Sequence, residues 1–265
     1  MRFGCCGSMI APARDSIGVE IVETAAEIGF DYIELSLRDV TELSAPAYAR
    51  LRARMARVGI PCEACNNFFP ARLRLTGAEA DPAAAVDYAE KALERASGLG
   101  ARIVVFGSSG ARNVPDGFAP DRAWRQIVEL LDRLAPAAAR YGITIAIEPL
   151  ARLESNIITT TAEGLRMARE VNRGSIGLLV DFFHFTAEGD DPAVLLEAGS
   201  AIRHVHFAAG EGRRFPRERE TGSPSFFAGL KRIKYGERCS LEAFTDDFEP
   251  DARRALRLLK ELAGP

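Results

Sequence analysis

The feature that most limits how this chain can fold is an alternation, eight times over, of a short β-rich apolar run with a longer amphipathic stretch. The strand candidates are Arg2–Cys6, Tyr32–Leu37, Pro61–Asn66, Ile103–Phe106, Thr144–Glu148, Gly177–Asp181, His204–Phe207 and Arg238–Glu242. Helical periodicity falls near 17–29, 45–58, 82–98, 121–141, 161–171, 192–198, 225–233 and 250–262. A helix between successive strands is the crossover that returns the chain to the same edge, so the strands must be parallel.

Eight units in 265 residues leave about 33 residues each, which suits a closed barrel. The expected fold class is therefore α/β, a single (β/α)₈ TIM barrel forming one domain over residues 1–265. An open doubly wound sheet is the competing arrangement. Against it, the first βα turn reads Cys6-Gly7-Ser8-Met9-Ile10-Ala11, with no G-x-G-x-x-G to receive a pyrophosphate. Helix boundaries carry their own signals. Asp81-Pro82 and Asp191-Pro192 place an N-cap carboxylate before a proline at the first helical position, and Asp121 and Thr161 are further cap candidates. Gly29, Gly59, Gly100 and Gly142 fall where helices should stop.

Composition narrows the partners. Hydrophobic residues at 47% and charged residues at 27% are the balance of a folded globular chain. A net charge of −3, from 34 basic and 37 acidic side chains, speaks against a nucleic-acid partner. No apolar run approaches the ~20 residues of a membrane helix, and no signal peptide is visible, so neither a membrane nor export is expected. Five cysteines are an odd number, which favours a reducing cytoplasm over a disulfide framework. Cys62 and Cys65 form a C-x-x-C, but three positions along a strand should point them to opposite faces. They are expected to be core cysteines.

In a parallel barrel, functional groups sit where strands end. Strand 5 ends on Glu148, strand 6 on Asp181, strand 7 holds His206 and strand 8 ends on Glu242. Each closes an apolar run with a metal-binding group, and the four strands are consecutive. Burying several acids together requires a cation or compensating partners. The set is rich in hard oxygen donors, so one divalent ion is expected: Mn²⁺ first, with Mg²⁺, Co²⁺ and Zn²⁺ as alternatives. All three histidines, His184, His204 and His206, fall at strands 6 and 7. The bland alternative is an ion-paired barrel interior, with Arg203 or Arg238 neutralising the acids. Glu34 on strand 2 is expected to pair internally.

As a set, Ile147-Glu148-Pro149-Leu150 with Arg152 and Glu154, Asp181-Phe-Phe-His184, His204-Val-His206 and Leu241-Glu242 resemble the xylose isomerase-like barrel superfamily. The narrower resemblance is to its sugar isomerase and epimerase branch. It implies that Glu148, Asp181, His206 and Glu242 are metal ligands and that Glu148 and Glu242 are also the catalytic acid/base pair. It implies substrate contacts from His184, Glu154 and an arginine after strand 7, either Arg213 or Arg214. Asn66, in the Asn66-Asn67-Phe68-Phe69 segment after strand 3, is a further candidate for binding a polyol.

The chemistry follows from these groups. A dication on adjacent carbonyl and hydroxyl oxygens acidifies the C–H between them. Two carboxylates can then take a proton from one face and return it to the other. The expected function is metal-dependent isomerisation or epimerisation of a small sugar or sugar phosphate, most simply ketose 3-epimerisation, in a chain able to form homo-oligomers. A dehydratase of the inosose dehydratase type and a non-catalytic sugar-binding barrel are the alternatives. An endonuclease IV-like role is disfavoured, since its trinuclear zinc site uses many more histidines than three.

Overall fold

The computed structural model describes residues 1–10 and 17–264; Ala11, at the end of the first βα turn, and Pro265 lie outside them. Each apolar run forms a strand: β1 (Arg2–Cys6), β2 (Tyr32–Ser36), β3 (Cys62–Asn66), β4 (Ile103–Phe106), β5 (Thr144–Ile147), β6 (Ile176–Asp181), β7 (Ile202–Phe207) and β8 (Arg238–Leu241). All pair in parallel and in sequence order, and β8 returns to β1 with Arg2 opposite Arg238 and Cys5 opposite Leu241. The chain is a TIM barrel.

Alternation along each strand divides its side chains between two environments. Outward residues such as Ile33, Leu35, Val104, Ile145, Ile147, Leu178, Val180 and Val205 join the large core between barrel and helices. Each such fully buried aliphatic side chain contributes about 1.5–3 kcal/mol of transfer free energy. Inward residues Tyr32, Ala64, Ile103, Val105, Ala146 and Leu179 form a separate small cluster inside the barrel. Tyr32 fits because Gly4, its register partner, has no side chain: a methyl group there would lie 2.3 Å from the ring.

The helices start and stop largely where cap chemistry places them. Asp81 accepts the N–H groups of Ala83 and Ala84 at 3.1 and 3.0 Å, Pro82 opens the helix, and Gly100 ends it with φ 97°. Asp191 accepts the Ala193 N–H at 2.8 Å, but the helix Ala193–Ala198 begins one residue later than expected, with Pro192 at its N-cap. Two other caps differ from expectation. Thr160, not Thr161, caps the helix Thr161–Val171, because Glu163 three residues on completes a capping box with it. Asp121 lies inside the first turn of Pro120–Arg140, whose N-cap is Ala119; proline at the first position sets that start.

Two further departures matter for the site. Short helices Gly7–Ile10, Leu37–Glu42, Ser109–Arg112 and Phe182–Ala187 follow strands at the barrel mouth, each too short for its periodicity to show in the sequence. Cys62 and Cys65 do not point to opposite faces: their sulfurs are 3.8 Å apart in the outer core. The register against β2 steps from Ile33–Cys62 to Glu34–Ala64, so a bulge at Glu63 absorbs one residue and returns both thiols to the same side. Both remain free and buried.

Candidate active site

Four strand ends converge at the barrel mouth. One ligand atom each from Glu148, Asp181, His206 and Glu242 lies within 4.8 Å of all the others, and all four side chains are buried. The local folding that aims them is visible at each. Asp181 ends β6 and caps the helix Phe182–Ala187, its Oδ1 accepting the Phe183 N–H at 2.9 Å. That bond fixes one carboxylate oxygen and turns Oδ2 toward the centre. The same helix turn brings His184 Nε2 to 3.5 Å from Asp181 Oδ2. Glu148 follows β5 and is given room by Gly107 at the end of β4. Glu242 follows β8 and is held by the Asn66 amide, whose Nδ2–H donates to Oε1 at 2.8 Å.

His206 sits between the two glutamates, with Nδ1 3.2 Å from Glu148 Oε1 and 3.0 Å from Glu242 Oε2. Its Nε2 faces the opposite way, 3.0 Å from Glu34 Oε1. Glu34 pairs internally, as expected. Burial works against its charge, but His206 and His204 outweigh that and hold its carboxyl well below the usual range. The two glutamates of the mouth diverge. Burial, with the charge of Glu242, raises Glu148, whereas Glu242 is depressed in spite of burial because His206 and Arg213 face it.

Of the two loop arginines, Arg213 is the one that faces the four groups. Its guanidinium lies 2.9 Å from Asp181 Oδ2, contacts Glu242 Oε2 closely, and reaches Glu154 Oε1 at 3.2 Å. It also lies over the Phe183 ring at 5.1 Å. Arg214 instead pairs with exposed Asp246. Arg213 adopts φ 51°, a left-handed backbone that costs a non-glycine residue about 1–3 kcal/mol and that the loop must therefore enforce. Backbone bonds do so: Ala209 N–H to Arg214 O and Phe244 N–H to Arg213 O, both 2.8 Å. Arg203 and Arg238, the alternative neutralising pair, are elsewhere: Arg203 faces Glu237 and Arg238 bonds Glu63.

A cavity of about 190 Å³ opens on these groups, lined among others by Glu148, Glu154, Arg213 and Glu242. Asn67 lines it, while the Asn66 amide nitrogen donates to Glu242. Ser108 and Ser109 also line it, as does Arg38, which was not anticipated; a single arginine after an apolar run carries no signal of its own.

The donor set fits a dication. Three carboxylates and the Nδ1 of an imidazole converge on one point, where Arg213 pairs with Asp181 and Glu242. His184 Nδ1 accepts the Ala151 N–H at 3.1 Å, which leaves the proton on Nε2, a buried donor with no hydrogen-bond partner among the described residues, 3.5 Å from Asp181 Oδ2. A second converging group, Cys6, Glu34 and His206, lies beneath the first. Burial raises the Cys6 thiol, and the charge of Glu34 adds to it.

The fold and site together define a barrel enzyme whose mouth has the make-up of a divalent-metal centre. A family model, the xylose isomerase-like TIM barrel, matches residues 22–262, and the chain belongs to that family, in its ketose 3-epimerase branch. It is 27% identical to a ketose 3-epimerase of Arthrobacter globiformis, over 99% of this chain and 90% of that protein. It is 30% identical to an L-ribulose 3-epimerase of a Methylomonas species, over 84% and 77% of the two chains. The crystal structure of a D-allulose 3-epimerase from Methylomonas, in complex with D-allulose, has the same fold: TM-score 0.87 at 24% identity, covering 98% and 96% of the two chains.

Proposed function

We propose that this protein is a divalent-metal-dependent ketose 3-epimerase, with Glu148 and Glu242 as its acid/base pair. The observation that carries the reading is their placement. They enter one cavity from β5 and β8, on either side of His206 Nδ1, so a planar intermediate between them would meet a carboxylate on each face. The curated relatives named above are 3-epimerases, which supports C3 as the carbon inverted.

In this reading one glutamate removes the C3 proton and the other delivers a proton from the opposite side. A dication held by Glu148, Asp181, His206 and Glu242, with Mn²⁺ the ion we expect from three hard carboxylates, supplies Lewis acidity toward the oxygens that flank the reacting C–H. His184 presents its Nε2–H to a substrate oxygen, and Arg213 and Glu154 bind hydroxyls at the other side of the cavity. Asn66 keeps the Glu242 carboxylate turned toward the reacting carbon. Most of these groups are buried, which strengthens each electrostatic contact and keeps bulk water from the reacting carbon. The substrate class is a small ketose, free or phosphorylated.

The test is to incubate the Mn²⁺-loaded protein with a panel of free and phosphorylated ketoses in D₂O, beside a chelator-treated sample. Deuterium at C3 of an inverted product, lost on chelation and restored by Mn²⁺, is the expected result. Exchange at C1 and C2 with aldose formation would make it an isomerase. A product lacking water would make it a dehydratase, and tight binding without exchange a sugar-binding barrel.

A further inference from the structure

We propose that Glu34 is a positioning residue: from beneath the barrel mouth it holds the His206 ring in the tautomer that presents Nδ1, rather than Nε2, to the metal. The inference rests on the metal centre described above. The His206 ring offers two nitrogens, and a neutral imidazole has one lone pair to give. Its Nε2 lies 3.0 Å from Glu34 Oε1, within reach of an N–H donated to that carboxylate. In the neutral ring that metal binding requires, a proton held there leaves the lone pair on Nδ1, the atom that faces Glu148 and Glu242.

Glu34 is itself held in place by an entire layer of the barrel. Its Oε2 accepts from His204 Nε2 at 2.9 Å and from Ser240 Oγ at 2.6 Å. Ser240 in turn is 2.8 Å from the Tyr32 hydroxyl, which donates to it once the serine proton is committed to Glu34. Glu34, Tyr32, His204, His206 and Ser240 are all fully buried. A carboxylate so far from solvent is retained only if its acceptors are satisfied, and here three donors satisfy them. His204 Nδ1 has no hydrogen-bond partner among the described residues, consistent with a ring whose single proton is on Nε2. The geometry is that of a carboxylate orienting a metal-binding histidine from behind, an arrangement whose loss commonly lowers metal affinity by about 10–100-fold.

The substitution Glu34→Gln separates this role from simple filling of space. Glutamine has the same shape but one oxygen and one amide nitrogen. Two donors, His204 and Ser240, share one side and His206 stands alone on the other, so the glutamine oxygen turns to the pair and its NH₂ to His206. Nε2 of His206 must then accept, its proton moves to Nδ1, and the metal loses that ligand. Mn²⁺ affinity of the purified protein, measured by titration calorimetry without sugar, is expected to fall about 10–100-fold. Ser240→Ala, which leaves the Glu34–His206 bond intact, is expected to stay within about threefold of wild type.

Two-bond ¹H–¹⁵N spectra of the imidazoles give an independent readout in the wild-type protein loaded with diamagnetic Zn²⁺. His206 is expected to show a protonated Nε2 and a metal-shifted Nδ1. Metal on Nε2, or wild-type Mn²⁺ affinity in Glu34→Gln, would overturn the proposal while leaving the metal centre standing. Absence of any cation binding by the wild-type protein would overturn both. Because the spectra use the unaltered chain, a Glu34→Gln protein that does not fold leaves the test intact.

Discussion

Gly107 and Glu148 occupy the same space by turns: a methyl group on residue 107 would lie 2.2 Å from Glu148 Oε2. The glycine at the end of β4 is therefore the recess into which the β5 carboxylate folds, and the orientation of a proposed ligand and acid/base group depends on an atom that is not there. Gly107→Ala is expected to push the carboxylate aside with little change in fold. A displacement near 1 Å commonly lowers turnover by about 10²-fold, and a loss of that order in kcat/KM is expected. Wild-type kinetics in this variant, with its melting temperature also unchanged, would show that Glu148 does not need the recess.

The acid/base pair makes a sharper prediction. Glu148→Gln and Glu242→Gln preserve size and hydrogen-bonding reach but remove the ability to take a proton. Each is expected to reduce C3 deuterium exchange by about 10²–10⁴-fold. Measuring exchange in D₂O at saturating Mn²⁺ separates lost proton transfer from lost metal. Turnover at the wild-type rate in either variant would remove that residue from its assigned role.

Arg213 and Arg214 are neighbours with opposite expectations. Arg213 faces Asp181, Glu242 and Glu154 from within the cavity, so Arg213→Ala is expected to raise KM for the ketose by at least about tenfold, a loss of about 1.4 kcal/mol. Arg214 pairs with exposed Asp246, a kind of contact that contributes about 0–1 kcal/mol, and Arg214→Ala should leave kinetics within about twofold. Steady-state kinetics on both variants check the assignment. Equal effects would mean that the loop places both side chains in the site.

The five cysteines make a prediction about pH. All are buried, and burial pushes the Cys239 thiol up to about 12, with Cys5, Cys6 and Cys65 also raised. In Cys65 the bond with Cys62 is the first cause and burial the second. Between the unfolded thiol pKa near 8.5 and the raised native values, the native state keeps protons that the unfolded chain releases. Linkage then makes stability fall as pH rises through that window. Urea midpoints should be lower at pH 9.5 than at pH 7.5, and a thiol reagent at pH 8 should label native protein slowly and denatured protein at five sites. Rapid labelling of the native state, or flat midpoints across this range, would contradict the burial.

Much of this was legible before any coordinates. Period-2 runs and helix signals located all eight strands, because alternation and cap chemistry are local properties of adjacent residues. The four metal candidates were legible because each is a metal-binding group closing an apolar run, a pattern that needs a barrel mouth to make sense. Other features were not. A bulge at Glu63 reverses the side to which Cys62 points, and no feature of residues 61–66 announces it, since bulges depend on pairing with a neighbouring strand. Thr160 rather than Thr161 caps its helix because Glu163 bonds back to it, a distinction of one position between identical side chains.

The sequence by itself determined the barrel, the order of its strands and the residue types that meet at its mouth. These follow from hydrophobic period and from the cost of burying unpaired charge, which act along the chain. Only the tertiary structure decided which groups serve which: that Asn66 turns to Glu242, that Arg213 and not Arg214 enters the cavity, and that Glu34 lies behind His206. Those partners are separated by 29 to 176 residues, as Arg213 is from Glu242 and Asn66 from Glu242. Their contacts exist only once the barrel closes and sets strand ends a few ångströms apart.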